Sequence, residues 1–213
     1  MSIGTYQELK DAIANFLARD DLTAQIPNFI QLAEARMSRE LETREQEKRA
    51  TATLTANDEY VALPTDLREV REVKLNTSPT KVLSYFSPSG LDTQYSSNGQ
   101  GRPEGYSIIG KELKLRPIPD SGYTAEIVYI GTLDSISATS TPTLFLRSPD
   151  LYLYGALAEA YAYLLDEGRA AQYDAKFSRG LEEVKVDEQR AHYGTGSLHI
   201  TSIYSRQNAV AET

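Results

Sequence analysis

Cysteine and tryptophan are absent from the 213 residues, and methionine and histidine each occur only twice. Without cysteine there is neither a disulfide framework nor a thiolate metal site. Both histidines, His192 and His199, lie near the C-terminus, so no nucleophile in the body of the chain has an imidazole for a base. They read as solvated or docking groups. HExxH and EF-hand spacings are missing, as is GxxxxGK[ST], so no metal or cofactor is expected. Gly99-Gln100-Gly101-Arg102-Pro103-Glu104-Gly105 is one residue too long for GxGxxG. It precedes a strand pattern instead of opening a helix, and it reads as a surface loop. No stretch approaches the roughly 18 uninterrupted apolar residues of a membrane span. The opening residues 1–8 lack the basic region of a signal peptide, so the expected place is cytoplasm or a particle assembled there. Clustered positive charge is lacking too: a net charge of -8 and a pI near 4.9 argue against a protein that wraps nucleic acid.

What is present is a 40% apolar, mixed-charge chain with 14 tyrosines against 5 phenylalanines. That balance fits a globular core with half-wet aromatic surfaces, since tyrosine suits interfaces where the ring packs and the hydroxyl stays solvated. The organising stretch is residues 23–49. Ile26, Ile30, Ala33, Met37 and Leu41 fall three and four apart, Phe29 lies beside them, and Pro27 sits in a first turn. Acid-first pairs Glu40/Arg44 and Glu45/Arg49 extend the pattern, predicting one helix of about 35 Å. Ahead of it, Tyr6, Leu9, Ile13, Phe16 and Leu17 mark a shorter helix, with Thr5 and Glu8 spaced as a capping box. Asp20 and Asp21 close that helix, giving a helical hairpin.

The period changes at Ala50. Alternating Thr and Ala at 51–56, then runs at 59–63, 70–75, 82–86, 106–109, 112–115 and 123–130, read as strands, with Gly110-Lys111 as a hairpin turn and 87–91 as a short helical turn. Residues 50–132 thus predict a small antiparallel sheet or sandwich, and 133–143 an exposed Ser/Thr loop. Helix returns at Ser148-Pro149, where Ser148 is the expected N-cap. Leu153, Leu157, Tyr161 and Leu164, broadened by Tyr154 and Leu165, form its core face, and Gly168 its C-cap signal. A last helix over about 169–191 carries Tyr173, Phe177, Leu181 and Val184 inward, with Glu182, Glu183, Asp187 and Glu188 outward. The fold class is α+β: a discontinuous helical bundle of two hairpins (1–49 and 144–191), an inserted β-domain (50–132), a loop (133–143) and an extended C-terminal arm (192–213). Tyr193, Leu198, Ile200, Ile203 and Tyr204 are the arm's candidate anchors for a partner or a neighbouring subunit, because the arm alone cannot bury enough to fold. Tyr152, Tyr154 and Tyr163, off the apolar face of one helix, are candidates for a subunit interface.

Paired carboxylates are the remaining route to catalysis. Asp20-Asp21, Asp166-Glu167 and Glu182-Glu183 fall at helix ends or polar faces, where solvation explains them. Glu159 interrupts an Ala-, Leu- and Tyr-rich helix; it reads as a lone acid, as an exposed position or as the partner of Arg36 or Arg39. No enzymatic activity is expected.

Three runs carry a resemblance: Ile26-Pro27-Asn28-Phe29-Ile30-Gln31-Leu32-Ala33-Glu34-Ala35-Arg36, Tyr60-Val61-Ala62-Leu63-Pro64-Thr65-Asp66, and Leu151-Tyr152-Leu153-Tyr154-Gly155-Ala156-Leu157-Ala158-Glu159-Ala160. In this order, with strands between them, the chain resembles the head-to-tail adaptor (connector, head-completion) proteins of tailed bacteriophages. The resemblance implies a structural virion protein of the phage neck, assembled in the host cytoplasm. It implies a homo-oligomeric ring, usually of about twelve copies, whose partners are the portal and a tail or nozzle protein. DNA would pass through its channel unbound. A tail-completion or tail-terminator protein, and a carboxylate-dependent cell-wall glycoside hydrolase, are the alternatives.

Overall fold

The computed structural model describes residues 3–19, 21–96 and 99–192. Helix α1 (Tyr6–Leu17) starts where the capping box places it. The Thr5 hydroxyl accepts from the Glu8 amide at 3.2 Å and the Glu8 carboxylate accepts from the Thr5 amide at 3.0 Å. Its last cap is Ala18 at φ 50. Leu9, Ile13 and Leu17 are buried, whereas Phe16, read as part of the same stripe, is half exposed.

Helix α2 (Ile26–Glu40) is shorter than its sequence pattern predicts, at 15 residues or about 22 Å. The chain turns extended at Leu41, makes a 3-10 turn (Arg44–Gln46) and enters strand β1 (Glu47–Leu54). Residues 42–49 have no apolar stripe to bury, and each acid-base pair would add only about 0.2–0.5 kcal/mol to a helix. Pairing with an eight-residue ladder outweighs that, and the charges find other partners: Glu40 with Lys185, Arg44 with Glu188 and Arg49 with Glu126.

Strands β2 (Tyr60–Ala62), β3 (Leu67–Leu75), β4 (Lys81–Val82), β5 (Ser84–Tyr85), β6 (Gln100–Gly101), β7 (Gly105–Ile109), β8 (Glu112–Arg116), β9 (Ile118–Pro119) and β10 (Tyr123–Gly131) follow, with α3 (Pro88–Gln94) between β5 and β6. One sheet runs β1-β10-β3-β4, a second β2-β8-β7-β5, and β6 pairs β9. β1 is antiparallel to β10, Glu47 opposite Ile130 and Leu54 opposite Tyr123. The long strand pairs are antiparallel, but β5 with β7 and β6 with β9 are parallel, a departure from the all-antiparallel expectation. Gly110 turns the β7–β8 hairpin at φ 63, where glycine avoids a Cβ clash. Leu54, Val73, Leu75, Tyr106, Leu113, Leu115, Ala125 and Ile127 from both four-stranded sheets share one core. That makes the insert a small sandwich.

The chain then returns to helix through α4 (Thr143–Arg147), α5 (Pro149–Tyr163) and α6 (Glu167–His192). α5 is touched by α1, α2, α4 and α6 and is buried nearly all round, as an Ala- and Leu-rich helix with no polar face must be. Ser148 stands at its N-cap, yet the side chain makes no capping bond. Gly168 is not the C-cap: α5 stops at Tyr163, Leu165 takes the left-handed conformation at φ 57, and the Asp166 carboxylate caps α6 by accepting from the Arg169 amide at 3.1 Å. The loop after β10 is not merely a solvated link, because Ile136 is buried in the helical core.

Gly155 marks the tightest packing. A Cβ there would stand 2.8 Å from the Ala33 Cβ and 2.9 Å from the Phe177 ring, so α2, α5 and α6 meet at a distance only glycine permits. Alanine is worth up to about 1 kcal/mol over glycine in a free helix. Here overpacking reverses the sign, and Gly155→Ala should destabilise the fold by about 1–3 kcal/mol in chemical denaturation. A neutral or stabilised variant would show that the three helices do not close on this point.

A second test concerns the seam between bundle and sandwich. The Lys48 ammonium bonds Asp66 at 2.9 Å and Asp134 at 2.8 Å, and the Tyr129 hydroxyl donates to Asp66 at 3.0 Å. The Lys48 hydrogen bond holds the Asp66 carboxyl below its usual range, with Tyr129 assisting. A carboxyl depressed by folding contributes stability that is present above its unfolded pKa, roughly pH 4, and lost as pH falls through the lower folded value. In Lys48→Met the acid-side fall of the melting temperature should be shallower than in the wild type; identical acid limbs would remove the pair from that role.

Candidate assembly surface

The three tyrosines singled out on α5 fall in three environments. Tyr152 is fully buried, edge-on to Phe145 at 5.1 Å, with its hydroxyl unpartnered. Burial, with the nearby Glu34, Glu45 and Asp134 carboxylates, pushes that phenol far up. This corrects the interface expectation for Tyr152, whose ring has no route to a surface. Tyr154 is half-buried beside Tyr173 at 6.2 Å, under the Lys176 ammonium at 5.2 Å. Tyr163 is 61% exposed and leans on Phe29 at 5.6 Å. Of the three, Tyr163 is the one with a ring free to meet a partner.

Around Tyr163 the fold gathers further apolar side chains. The Tyr161 hydroxyl donates to the Phe16 carbonyl at 3.2 Å, which ties the end of α1 to the end of α5. Phe29 brings the start of α2 to the same place, and Leu32 follows one turn on. Phe16 and Leu32 are each 51% exposed, and Leu165, in its left-handed turn, is 87% exposed. Phe16, Leu32, Tyr163 and Leu165 are thus exposed apolar side chains carried on segments that these contacts bring together. Sequence spacing missed this surface, because α5 is apolar on every side and offers no period from which to rank its faces.

The charged groups are mostly tied to one another. Arg36 bonds Glu159 at 3.2 Å and Asp174 at 2.7 Å while lying 4.8 Å over the Phe177 ring. Glu159 is therefore the partner of Arg36 rather than a lone acid. With the guanidinium between them, Glu159 and Asp174 lack the apolar pocket that would hold one of them as a general acid. A cleft of about 640 Å³ opens where α2, α6 and the first sheet meet, lined by Arg39, Arg44 and Lys185 against Glu40, Glu47 and Glu188. Glu188, read as an outer-face residue, is buried and bonds Arg147 at 2.7 Å and the Arg44 amide at 2.9 Å. Burial opposes its ionisation, yet the Arg44 amide and the Arg147 guanidinium outweigh that and hold the carboxyl below its usual range. Among the described residues no three His, Cys, Asp or Glu side chains are grouped to hold a metal, and no helix is long and apolar enough to cross a membrane.

The arm anchors Tyr193, Leu198, Ile200, Ile203 and Tyr204 lie outside the described residues, as does the His192 side chain. Exposed apolar side chains at helix ends, with most other charged groups already in ion pairs, describe a protein that works by assembling with others. A family model described as "SU10 adaptor protein" matches residues 4–200, and the chain belongs to that family of phage head-to-tail adaptors, structural components of the virion. A search among curated proteins found no match.

The left-handed Leu165 gives this surface a test. Holding a branched side chain at positive φ costs about 1–2 kcal/mol, which glycine would relieve. Leu165→Gly should raise the free energy of unfolding by about 1 kcal/mol while weakening assembly with partner proteins. A less stable Leu165→Gly, or one assembling as well as wild type, would deny the residue this role.

Proposed function

We propose that the chain is the repeating subunit of a ring of about twelve copies that joins the portal to the tail in the neck of the particle. The match of residues 4–200 to the adaptor family carries this reading. Closure of a ring needs heterologous contacts, one surface of each subunit meeting a different surface of the next. The apolar end of the bundle supplies one such surface, with Tyr163 and the half-buried Tyr154 as interface residues. Residues 193–213 supply the other attachment: Tyr193, Leu198, Ile200, Ile203 and Tyr204 anchor the arm to the portal or to an adjacent subunit. A tail or nozzle protein binds the distal side, and no enzymatic step is involved. With a formal charge of -8 per subunit, the ring repels the DNA passing through it and so does not retain it.

The test is mass photometry of the full chain, alone and mixed with the portal of the same genome. A 23.7 kDa species that joins the portal as a ring supports the reading, and removal of residues 193–213 abolishes that union while circular dichroism stays unchanged. A subunit that ignores the portal, or one that binds it equally well without the arm, overturns the corresponding part.

A further inference from the structure

The sandwich has two open sides, and each is made by one continuous stretch of chain. β1 is the terminal strand of the first sheet and β2 of the second, and residues 55–59 carry the chain from one to the other. On the opposite side β4 ends the first sheet and β5 the second, with Leu83 between them. Leu83 is buried in the sandwich core, and its amide donates to the Val73 carbonyl at 2.8 Å. In an antiparallel ladder the neighbouring residue then turns its N–H and C=O outward, so those of Val82 face away from β3. The Val82 and Tyr85 side chains are 54% and 60% exposed, and on the other side of the sandwich Tyr60 of β2 is 39% exposed.

Charge is withdrawn from both sides. Register places Thr51, Glu126, Lys74 and Val82 in one row across the first sheet, on the face turned away from the sandwich core. The two charged residues stand in the middle of this row and pair at 2.8 Å, and the two uncharged residues stand at its ends. Residues 50–56 and 82–91 contain no charged side chain, in a chain that is 24% charged. A sheet edge is a template for another strand, and proteins that must keep an edge alone blunt it with charge. A lone strand could cover one edge of a side. Both edges together are met only by a body with two sheets at the same spacing, about 10 Å. The opposite side of a second copy has that spacing by construction.

We propose that neighbouring subunits meet through the sandwich, the β4–β5 side of one copy docking on the β1–β2 side of the next. The contact rests on the ring reading above and names a surface within it. β1, β10, β3 and β4 alternate in direction, so β1 of one copy beside β4 of the next continues the alternation. The row of side chains continues with it, Val82 of one copy standing against Thr51 of the next. β4 and β5 are two residues each, which keeps the shared ladder short and leaves much of the contact to the Val82 and Tyr85 side chains. The two sides are different surfaces, so the contact is heterologous and repeats from copy to copy, as a closed ring requires. Copies that each carry a net charge of -8 meet there without setting further like charges against each other.

The absence of native cysteine makes the contact directly readable. Thr51→Cys and Val82→Cys are made in separate full-length chains, at positions whose side chains are exposed. The two are mixed in equal amounts with the portal of the same genome and oxidised, while mass photometry follows the ring. The expected result is a disulfide from position 51 of one chain to position 82 of another, forming at least about tenfold faster than either like pair. Tyr85→Glu should prevent the ring from forming while circular dichroism stays unchanged. A ring that forms without the mixed disulfide, or forms equally well with Tyr85→Glu, overturns this contact and leaves the ring reading standing. A majority of disulfides between two copies of position 51 would assign the edge to two-fold pairing and overturn it as well. Chains that form no ring at all overturn the ring reading and this contact together.

Discussion

The structure depends on the close meeting of three helices at Gly155. Ala33 from α2 and Phe177 from α6 converge on the position a side chain would occupy, and α5 passes between them with its backbone bare. Glycine in a helix interior carries a conformational cost of roughly 0.5–1 kcal/mol, so its presence here is explained by what it permits. Once the three backbones are this close, Phe177, Met37, Leu157 and Ile30 fill the layers above and below. Arg36 can then lie flat on Phe177 and reach a carboxylate on each neighbouring helix. The guanidinium suits this place because its planar fork can stack and pair together, which an ammonium cannot do.

That helical core positions the sandwich through a second set of contacts, made by polar groups between the modules. The Glu34 carboxylate, buried in α2, accepts from the Ile136 amide at 2.6 Å and pins the segment after β10. Burial raises its pKa, with the amide opposing, so this carboxylate orders the connection at some cost in stability at neutral pH. Glu45 accepts from the Leu144 amide at 3.2 Å, Lys48 bridges Asp66 and Asp134, and Glu188 ties α6 to both Arg44 and Arg147. Both chain crossings between bundle and sandwich are therefore held by charge-assisted bonds to backbone or to opposite charges, which are directional in a way apolar packing is not. The two modules are thereby joined by directional contacts as well as by the chain itself.

Much of this was legible in the sequence where a local signal had no rival. The Thr5/Glu8 box, the Gly110 turn, the Pro149 start, the strand at 123–130 and the inward face of α6 each follow from spacing or from a residue with one strong preference. The Glu159–Arg36 pair was among the readings that the sequence left open. The misreadings have a common cause in contacts distant along the chain. Residues 42–49 satisfy helical charge pairing locally, and what makes 47–54 a strand is its register with 123–130. Gly168 carries a C-cap signal, but Asp166 caps the next helix first and shifts the left-handed residue to Leu165. Tyr152 and Tyr163 could not be told apart, because a helix apolar on all sides hides its orientation until its neighbours are placed. Only then does one ring fall into the core and the other at the exposed end.

The distribution of exposed groups follows from the same construction. Phe16, Leu32, Tyr163 and Leu165 remain exposed although the helices beneath them are closely packed. Rigid apolar patches lose little conformational entropy on docking, which favours binding by preformed surfaces. The surface charges behave oppositely: most are already paired within the subunit, so docking gains little from them but also need not strip them bare. Association at these exposed side chains is then governed by apolar fit. That is a geometric criterion, and it discriminates by shape where charge would discriminate only by sign. For an adaptor that carries eight net negative charges, recognition by shape is the route that does not depend on the charge of what it meets.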